Sequence, residues 1–433
     1  MFSSPRANIS GSVTSKAAIY WAASAFLAIK HVNSKNCTVL GSGCEELIAA
    51  SSANLKINPL LYDLRDSTPR FLATSVVRCS EAGGPVIVGA TSSEQSGIAT
   101  QLATASDQLL ISTYATSPAL SDKDLYPNLA RTSYTTGDLA LALVKLAKFL
   151  KWKQVAVLHN RDLYGNGYAD AFKQHMTQNG LKTEVISLGA IVTQEKVKEA
   201  MTQLKASGFK IVVVIAFREF WQLIMETAEE ELAGDFRSYV WFSGAMDANY
   251  PVNGVQEGSE DSLQLFHGLI GIAPKQDQTR VESLVSQVHA YREEFQMDIR
   301  DGFARSLSRA GRQCSVFAEN ETSDELEAFR DEIRIPEELS SVVRDISANA
   351  VDEFFPGAYN MVWSAAISFA RAISESGGLR VPKGSAVIPL IRDERIPEFN
   401  GAVGPQRWNS DGDSIVTGME VAFTQYVRNS EFP

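Results

Sequence analysis

Apolar and polar positions along this chain fall into blocks that switch between two periods. Short apolar runs at Pro85–Val88, Leu109–Thr113, Val155–His159, Thr183–Leu188, Ile211–Ala216 and Ser238–Phe242 read as strands. The run Ile211–Ala216 (IVVVIA) is apolar without a break, the pattern of a strand covered on both faces. Leu55–Leu61 reads as a further strand, weakened by Pro59. Between these runs, Pro69–Ser80, Glu94–Ala105, Leu139–Leu150, Tyr168–Asn179, Glu195–Ala206 and Phe220–Glu229 read as helices. Leu139, Leu143, Leu146 and Leu150 share one side of theirs; Val197, Met201 and Leu204 stand at i, i+4 and i+7 of another. Such alternation predicts an α/β protein with parallel sheets flanked by helices, and there are enough units for two sheets. After Pro274 the pattern turns helical, with Val281–Phe295 and Phe355–Ser374. Between them Arg300–Ser347 is polar and charged and reads as an insertion or flexible surface loop. Short strands such as Met419–Tyr426 follow Ile388.

The segment Ala17–Ile29 (AAIYWAASAFLAI) follows Lys16 and admits two readings. A short apolar run behind a basic residue is a signal-peptide core. A buried helix is the competing reading, since Trp21, Ala25 and Ala28 fall on one helical face and no A-x-A-like site follows.

Composition narrows the function classes. The chain has 433 residues, 45% of them apolar and 21% charged, which suits two or three globular domains. Its formal net charge of −11 makes it a poor non-specific partner for nucleic acid or anionic lipid. There is no apolar run long enough to span a membrane. His31, His159, His175, His267 and His289 show no metal-ligand spacing, so no metal is expected. The Glu229–Glu231 run reads as a solvated helix end. No G-x-S-x-G, P-loop or dinucleotide fingerprint occurs, so no cofactor is expected either.

Four stretches, taken in order, carry a resemblance. They are Val86–Ser93 (VIVGATSS), Ile111–Asp122 with Leu125–Arg131, Leu150–Phe172 around WKQVAVLHNRDLYGNGYADAF, and Phe399–Asp413 (FNGAVGPQRWNSDGD). Their order and spacing resemble the type I periplasmic-binding-protein fold of receptor ligand-binding regions. That group includes the ectodomains of natriuretic-peptide receptors and of metabotropic-glutamate and GABA-B-like class C receptors. The resemblance implies two lobes joined by three crossings, near Arg131–Thr135, His267–Pro274 and Glu398–Gly404. Lobe 1 would be residues 1–133 plus 270–397, with 300–347 as its insertion. Lobe 2 would be 134–269 plus 398–433.

Carried over residue by residue, the resemblance implies a small polar or amino-acid-like ligand in an interlobe cleft. Ser92 and Ser93, then Ala115 and Thr116, match positions that hold a carboxylate; small hydroxyls and turn N–H groups suit an anion. Ser92 and Ser93 equally suit helix N-capping. Tyr114 would narrow the pocket. Tyr164 matches a tyrosine that stacks on ligand, with Asp162 orienting its loop. Arg218 and Glu219 follow a strand and would face the cleft mouth, as ligand contacts or as a salt bridge. Two acids that bind an amine in such relatives are missing. Ser243 and Gly244 stand in one place, with Asp247 further on. Thr136 stands in the other, with Asp138 the nearest carboxylate.

The resemblance also implies a disulfide between Cys79 and either Cys37 or Cys44, the alternative being free thiols. An intermolecular bond at Cys314 is a further expectation. Sequons at Asn8, Asn36 and Asn320 fit an extracellular face. The function expected is a receptor ectodomain that signals by lobe closure, with possible dimerisation through lobe 1 and membrane attachment outside this chain. A free solute-binding protein of an importer, secreted or periplasmic, is the alternative. An enzyme would need a titratable pair, for which Tyr164 with Asp138 is the candidate.

Overall fold

The structure is a computed structural model of the chain. It describes residues 16–40, 44, 56–60, 69–90, 92–244, 252, 255, 260–309, 343, 346, 351, 354–377, 381–415 and 418–423. The chain divides into two compact units. Unit 1 is Met1–Ala115, Leu120–Ser133 and Gln276–Ile415; unit 2 is Thr116–Ala119, Tyr134–Lys275 and Val416–Pro433.

Unit 1 begins with α1 (Lys16–Ser34), which contains Ala17–Ile29. Ile19, Tyr20, Ala23, Phe26 and Leu27 are buried, so this run is a core helix of the unit. His31 is buried too and meets the Tyr359 hydroxyl at 2.7 Å. Burial, aided by the charge of Lys30, lowers its pKa to about 4, so the ring is neutral near pH 7. Residues 56–60 form no strand, contrary to the expectation for Leu55–Leu61. The Asn33 carboxamide takes both backbone groups of Ile57, at 2.7 and 2.8 Å, and Pro59 has no N–H to donate. Next come α2 (Pro69–Glu81), β1 (Val86–Val88), α3 (Ser93–Ala105), β2 (Leu109–Ser112) and β3 (Leu129–Arg131). The strands form a parallel sheet in the order β1-β2-β3.

The cysteine pairing differs from the expected one. Cys37 bonds Cys44, with Cα atoms 5.9 Å apart, while Cys79 is a free thiol. Cys79 lies in the last turns of α2, where its sulfur accepts from Gln108 Nε2 at 3.5 Å. Cys314 lies outside the described residues, as do Asn8 and Asn320.

Unit 2 runs through α4 (Thr136–Phe149), β4 (Gln154–His159), α5 (Leu163–Gln178), β5 (Lys182–Ser187), α6 (Gln194–Ser207), β6 (Ile211–Ile215), α7 (Trp221–Leu232), β7 (Val240–Ser243) and β8 (Ile270–Pro274). Alternate residues of its strands enter two separate cores. Ala156, Leu158, Val212 and Val214 pack with Met201, Leu204, Trp221 and Ile224 on one face. Val155, Val157, Val213 and Ile215 pack with Leu139, Leu143, Tyr168 and Phe172 on the other. This is why Ile211–Ala216 is apolar at every position: helices cover both sides of the sheet.

The chain then returns to unit 1 with α8 (Gln278–Arg309), α9 (Phe354–Glu375), α10 (Gly384–Arg392) and a hairpin of β9 (Phe399–Gly401) and β10 (Gly404–Gln406). Helix α8 continues to Arg309 and so takes in the first ten residues of the stretch read as an insertion from Arg300; Ile299 is buried and Arg305 pairs with Asp301 at 3.8 Å. Most of 310–347 lies outside the described residues. Helix α9 packs on α1, with Ser24 Oγ donating to the Phe355 carbonyl at 2.7 Å. No described helix is long and apolar enough to cross a membrane. The last strand, β11 (Met419–Phe423), returns to unit 2 and pairs antiparallel with β8, completing the order β11-β8-β7-β6-β4-β5.

Two expected boundaries therefore move. Residues 270–275 belong to unit 2, because β8 pairs with β7 there. Residues 398–415 belong to unit 1, because their last turn is bonded to the end of β3. Arg131 is fully buried and donates to Asp413 Oδ1 at 2.7 Å, to the Ala115 carbonyl at 2.8 Å and to Ser121 Oγ at 2.6 Å. Ser121 Oγ donates to the other Asp413 oxygen at 2.6 Å, and Trp408 Nε1 donates to the Arg131 carbonyl at 2.8 Å. Burial opposes the charged form of Asp413, but Arg131, Lys123 and Ser121 outweigh it and hold the carboxyl below its ordinary range.

Removing one partner of a buried pair strands the other and costs ~3–5 kcal/mol. Asp413→Asn is expected to weaken the protein by that order at pH 7 in urea unfolding. The depressed carboxyl contributes stability above its unfolded pKa of ~3.9 and loses it as pH falls through the folded value. The gap between wild type and variant should therefore narrow in acid; a gap independent of pH down to ~3 would contradict the assignment.

Candidate functional site

In unit 2, β4 lies between β5 and β6, and the chain goes from β4 to β5 before crossing back to β6. Successive connections thus leave β4 and β6 in opposite directions, and a crevice opens at the carboxyl ends of such strands. His159 ends β4 and Asn160 follows it; Ala216, Phe217 and Arg218 follow β6. The Asn160 N–H donates to the Ile215 carbonyl at 3.1 Å and ties the two ends together. Asn160 is buried, and its Oδ1 has no hydrogen-bond partner.

Helix α5 starts five residues before the expected Tyr168, which places Tyr164 in its first turn. Asp162 caps it, its Oδ1 accepting from the Gly165 N–H at 2.6 Å, so the loop-orienting role expected of Asp162 is an N-cap. Burial raises the Asp162 pKa, against the Gly165 and Tyr164 N–H groups that favour the charged form. A Cβ at Gly165 would stand 2.0 Å from the Asn160 carbonyl oxygen, so only glycine lets the turn close. The Tyr164 ring stacks on Phe217, centroids 5.6 Å apart and planes 27° apart.

The short segment of Thr116 and Ser117 bridges two helix starts. The Thr116 carbonyl accepts from the Thr136 N–H at 2.7 Å and from its hydroxyl at 3.1 Å. Ser117 Oγ donates to the Leu163 carbonyl at 2.7 Å. Thr116, Thr136 and Tyr164 are thereby brought into one neighbourhood of unit 2. Asp138 is used differently: it forms a capping box with Thr135 at the start of α4. Arg218 and Glu219 share a single 3-10 turn, Arg218–Phe220, where Glu219 is exposed and Arg218 half-buried. Ser243 is buried at the end of β7. The next position admits no acid: a Cβ on Gly244 would meet Ile215 Cγ1 at 2.8 Å and the Val214 carbonyl at 3.0 Å. Asp247 lies outside the described residues.

In unit 1, Ser92 caps α3, its Oγ accepting from the Gln95 N–H at 3.2 Å, and Ser93 is buried in the first turn. The N-capping reading of Ser92 is therefore met, and the helix start presents backbone donors beside the end of β1. Gly89, which links them, has φ +134, a region that favours glycine. Tyr114 packs between Trp21 and Phe354, with centroids 4.5 and 5.5 Å away. Trp21, Tyr114, Ile57, Val88, Val362 and Phe369 line an apolar cavity of about 580 Å³ inside the unit. Ala115 is buried and its carbonyl is taken by Arg131. Sequence reading missed Asn160, Ser117 and Phe217. Asn160 and Phe217 were findable as residues just past strand ends; Ser117 carried no local signal.

A family model described as a receptor family ligand binding region matches residues 46–425. The chain belongs to this family. Among curated proteins it is 24% identical over 319 residues to a probable metabotropic glutamate receptor of Caenorhabditis elegans, covering 66% of this chain and 30% of that protein. It is 33% identical over 105 residues to a Leu/Ile/Val-binding protein homolog of Brucella melitensis, covering 24% of this chain and 28% of that one. The chain thus spans less than a third of the length of these relatives. A crystal structure of an ABC transporter substrate-binding protein from Desulfitobacterium hafniense in complex with Leu superposes with a TM-score of 0.55 at 15% identity, covering 94% of this chain and 93% of that one. That likeness shows the two-lobed periplasmic-binding-protein-like type I fold. The family is one of ligand-binding regions, and the relatives of this chain include metabotropic glutamate receptors and amino-acid-binding proteins.

Two substitutions test the local geometry. Ser92→Ala should cost ~1 kcal/mol in unfolding free energy and Ser92→Gly only a few tenths, the signature of an N-cap. Gly165→Ala should cost more than either, ~1–3 kcal/mol, because backbone must move to admit the methyl group. Equal stability of wild type and the Gly165 variant in thermal unfolding would refute the close approach.

Proposed function

We propose that this chain is the extracellular ligand-binding module of a cell-surface receptor. One small polar ligand engages the strand ends of both units, and lobe closure carries the signal. The observation that carries this reading is Tyr164 stacked on Phe217 at the β4–β6 switch, beside Thr116 and Thr136. A phenol offers an apolar face and a polar tip, which suits the closing side of a binding site. Ser93 and the start of α3 supply small donors suited to an anionic group. Gly244 leaves no room for an acid and Asp138 is engaged with Thr135, so an ammonium group lacks two partners. A small carboxylate or a neutral polar ligand fits this set better than a plain α-amino acid does. Asn160, Arg218, Glu219 and Ser243 complete the unit 2 candidates; Ser92, Tyr114 and Ala115 act in unit 1 by shaping it. We read the chain as non-catalytic, since the Asp138 carboxylate is committed to a helix start. Dimerisation through unit 1 and membrane attachment outside this chain belong to the same proposal.

A second reading has its own support. The Desulfitobacterium substrate-binding protein shares the fold, and the Brucella Leu/Ile/Val-binding protein homolog is 33% identical over 105 residues. A solute-binding protein of an importer would leave the natural product in the soluble fraction; a receptor would leave it in the membrane fraction.

The test is a thermal-shift panel of amino acids, amines and small carboxylates, followed by small-angle scattering. A ligand at 100 times its Kd adds ~2.7 kcal/mol, a rise of roughly 3 °C in Tm for a chain of this size. Its binding should reduce the radius of gyration, and Tyr164→Ala should weaken it at least ~10-fold, about 1.4 kcal/mol. Binding with an unchanged radius would sink closure, and a panel with no stabiliser would sink the small-ligand reading.

A further inference from the structure

The end of α1 carries an acceptor sequence, Asn36-Cys37-Thr38, whose middle residue is half of the disulfide. Two structural features hold these residues from opposite sides. On one side the helix closes with Lys35 at φ +55 and with the Asn36 N–H on the His31 carbonyl at 2.8 Å. On the other, Cys37 is bonded to Cys44. Between them Asn36 Oδ1 accepts from the Thr38 N–H at 3.0 Å and from the Thr38 hydroxyl, an Asx turn. Thr38 is exposed and Asn36 half-buried, so a group added here meets solvent.

We propose that Asn36 is an N-glycosylation site and that closure of the Cys37–Cys44 disulfide shuts it. The two reactions meet in one tripeptide: glycosylation uses Asn36 and Thr38, and disulfide formation uses Cys37 with Cys44. In glycosylation, Asn36 Nδ2 attacks C1 of an oligosaccharide carried on a lipid pyrophosphate. The N–C1 bond forms, the C1–O bond to pyrophosphate breaks, the lipid pyrophosphate leaves and Nδ2 gives up one proton. In disulfide formation, the thiols of Cys37 and Cys44 pass two electrons and two protons to a disulfide-bearing oxidoreductase of the same compartment. Transfer requires the carboxamide to leave Thr38 and enter an enzyme site, which an open chain permits. A short ring closed through Cys37 removes that freedom. Folded protein is therefore a poor acceptor, and occupancy records which reaction came first.

The site rests on the export of the chain proposed above, so the experiment supplies export. The full chain, with Asn8 and Asn320 changed to Gln, is placed behind a cleavable signal sequence and translated into microsomes. Protease protection selects the chains that reached the lumen. Peptide mass after glycosidase release in heavy-oxygen water reads Asn36 occupancy. Partial occupancy is expected with Cys44 present. Cys44→Ser, or reductant during translation, should raise it about twofold or more by leaving Cys37 unconstrained. Thr38→Ser should retain the glycan; Asn36→Gln and Thr38→Ala should abolish it. Protected Cys44→Ser chains without the glycan would overturn the site. Equal occupancy with and without Cys44 would overturn the competition. Either result leaves the ligand-binding reading untouched, since ligand binding is read separately by thermal shift.

Discussion

A guanidinium with no exposed surface holds unit 1 together across a break in its own sequence. Arg131 and Asp413 are 282 positions apart, and most of unit 2 is threaded between them. The planar fork of Arg131 reaches three segments at once: the last turn before β11, the Ser121 turn and the carbonyl of Ala115. A buried pair adds little net stability against an apolar pair of the same volume, because desolvation offsets the attraction. What it supplies is register. Any other packing of the 408–413 segment would leave a charge buried without its partner, at a cost no neighbouring contact offsets. The position of the chain just before Thr116 and just after β3 follows from this clasp, and so does the point where the path leaves for unit 2.

Much of unit 2 was legible from the sequence because burial on both faces writes itself as unbroken apolar runs. Ile211–Ala216 and Val155–His159 need no further information to be read as inner strands. Errors arose where a side chain supplied hydrogen bonds that strand pairing would otherwise make. Asn33 does this for Ile57, and nothing local to Leu55–Leu61 reveals a partner 24 residues away. Helix α5 started earlier than its apolar spacing suggested because the cap, Asp162, sets the start, whereas Tyr168 marks only the first fully buried turn. Polar composition misplaced the end of α8 for the opposite reason: pairs such as Arg305–Asp301 let a charged stretch stay helical.

The site was legible in its parts and illegible in its connections. Residues at or past strand ends, Tyr164, Arg218 and Ser243, could be picked out as candidates. That Thr116 and Ser117 join the starts of α4 and α5 depends on a crossing segment whose pairing is long-range. The cysteines make the same point. A resemblance suggested Cys79 as partner, whereas the geometry joins the two nearest in sequence and leaves Cys79 against Gln108. Missing acids were visible as an absence; the reason, a Gly244 wedged against Val214 and Ile215, was visible only in three dimensions.

The antiparallel pairing of β11 with β8 also sets the order in which this chain matures as it is synthesised. Neither unit is a continuous stretch: unit 1 awaits Asp413 and unit 2 awaits Met419–Phe423. A ribosome must finish nearly all of the described chain before the unit 2 sheet or the unit 1 clasp is complete, so vectorial folding domain by domain is denied to it. Until then β8 offers an open edge, the kind that pairs with the wrong strand. Helper proteins that shield such edges would have their longest task here, and a clean single-cut fragment of either unit would inherit the same exposed edge or the same unpaired charge.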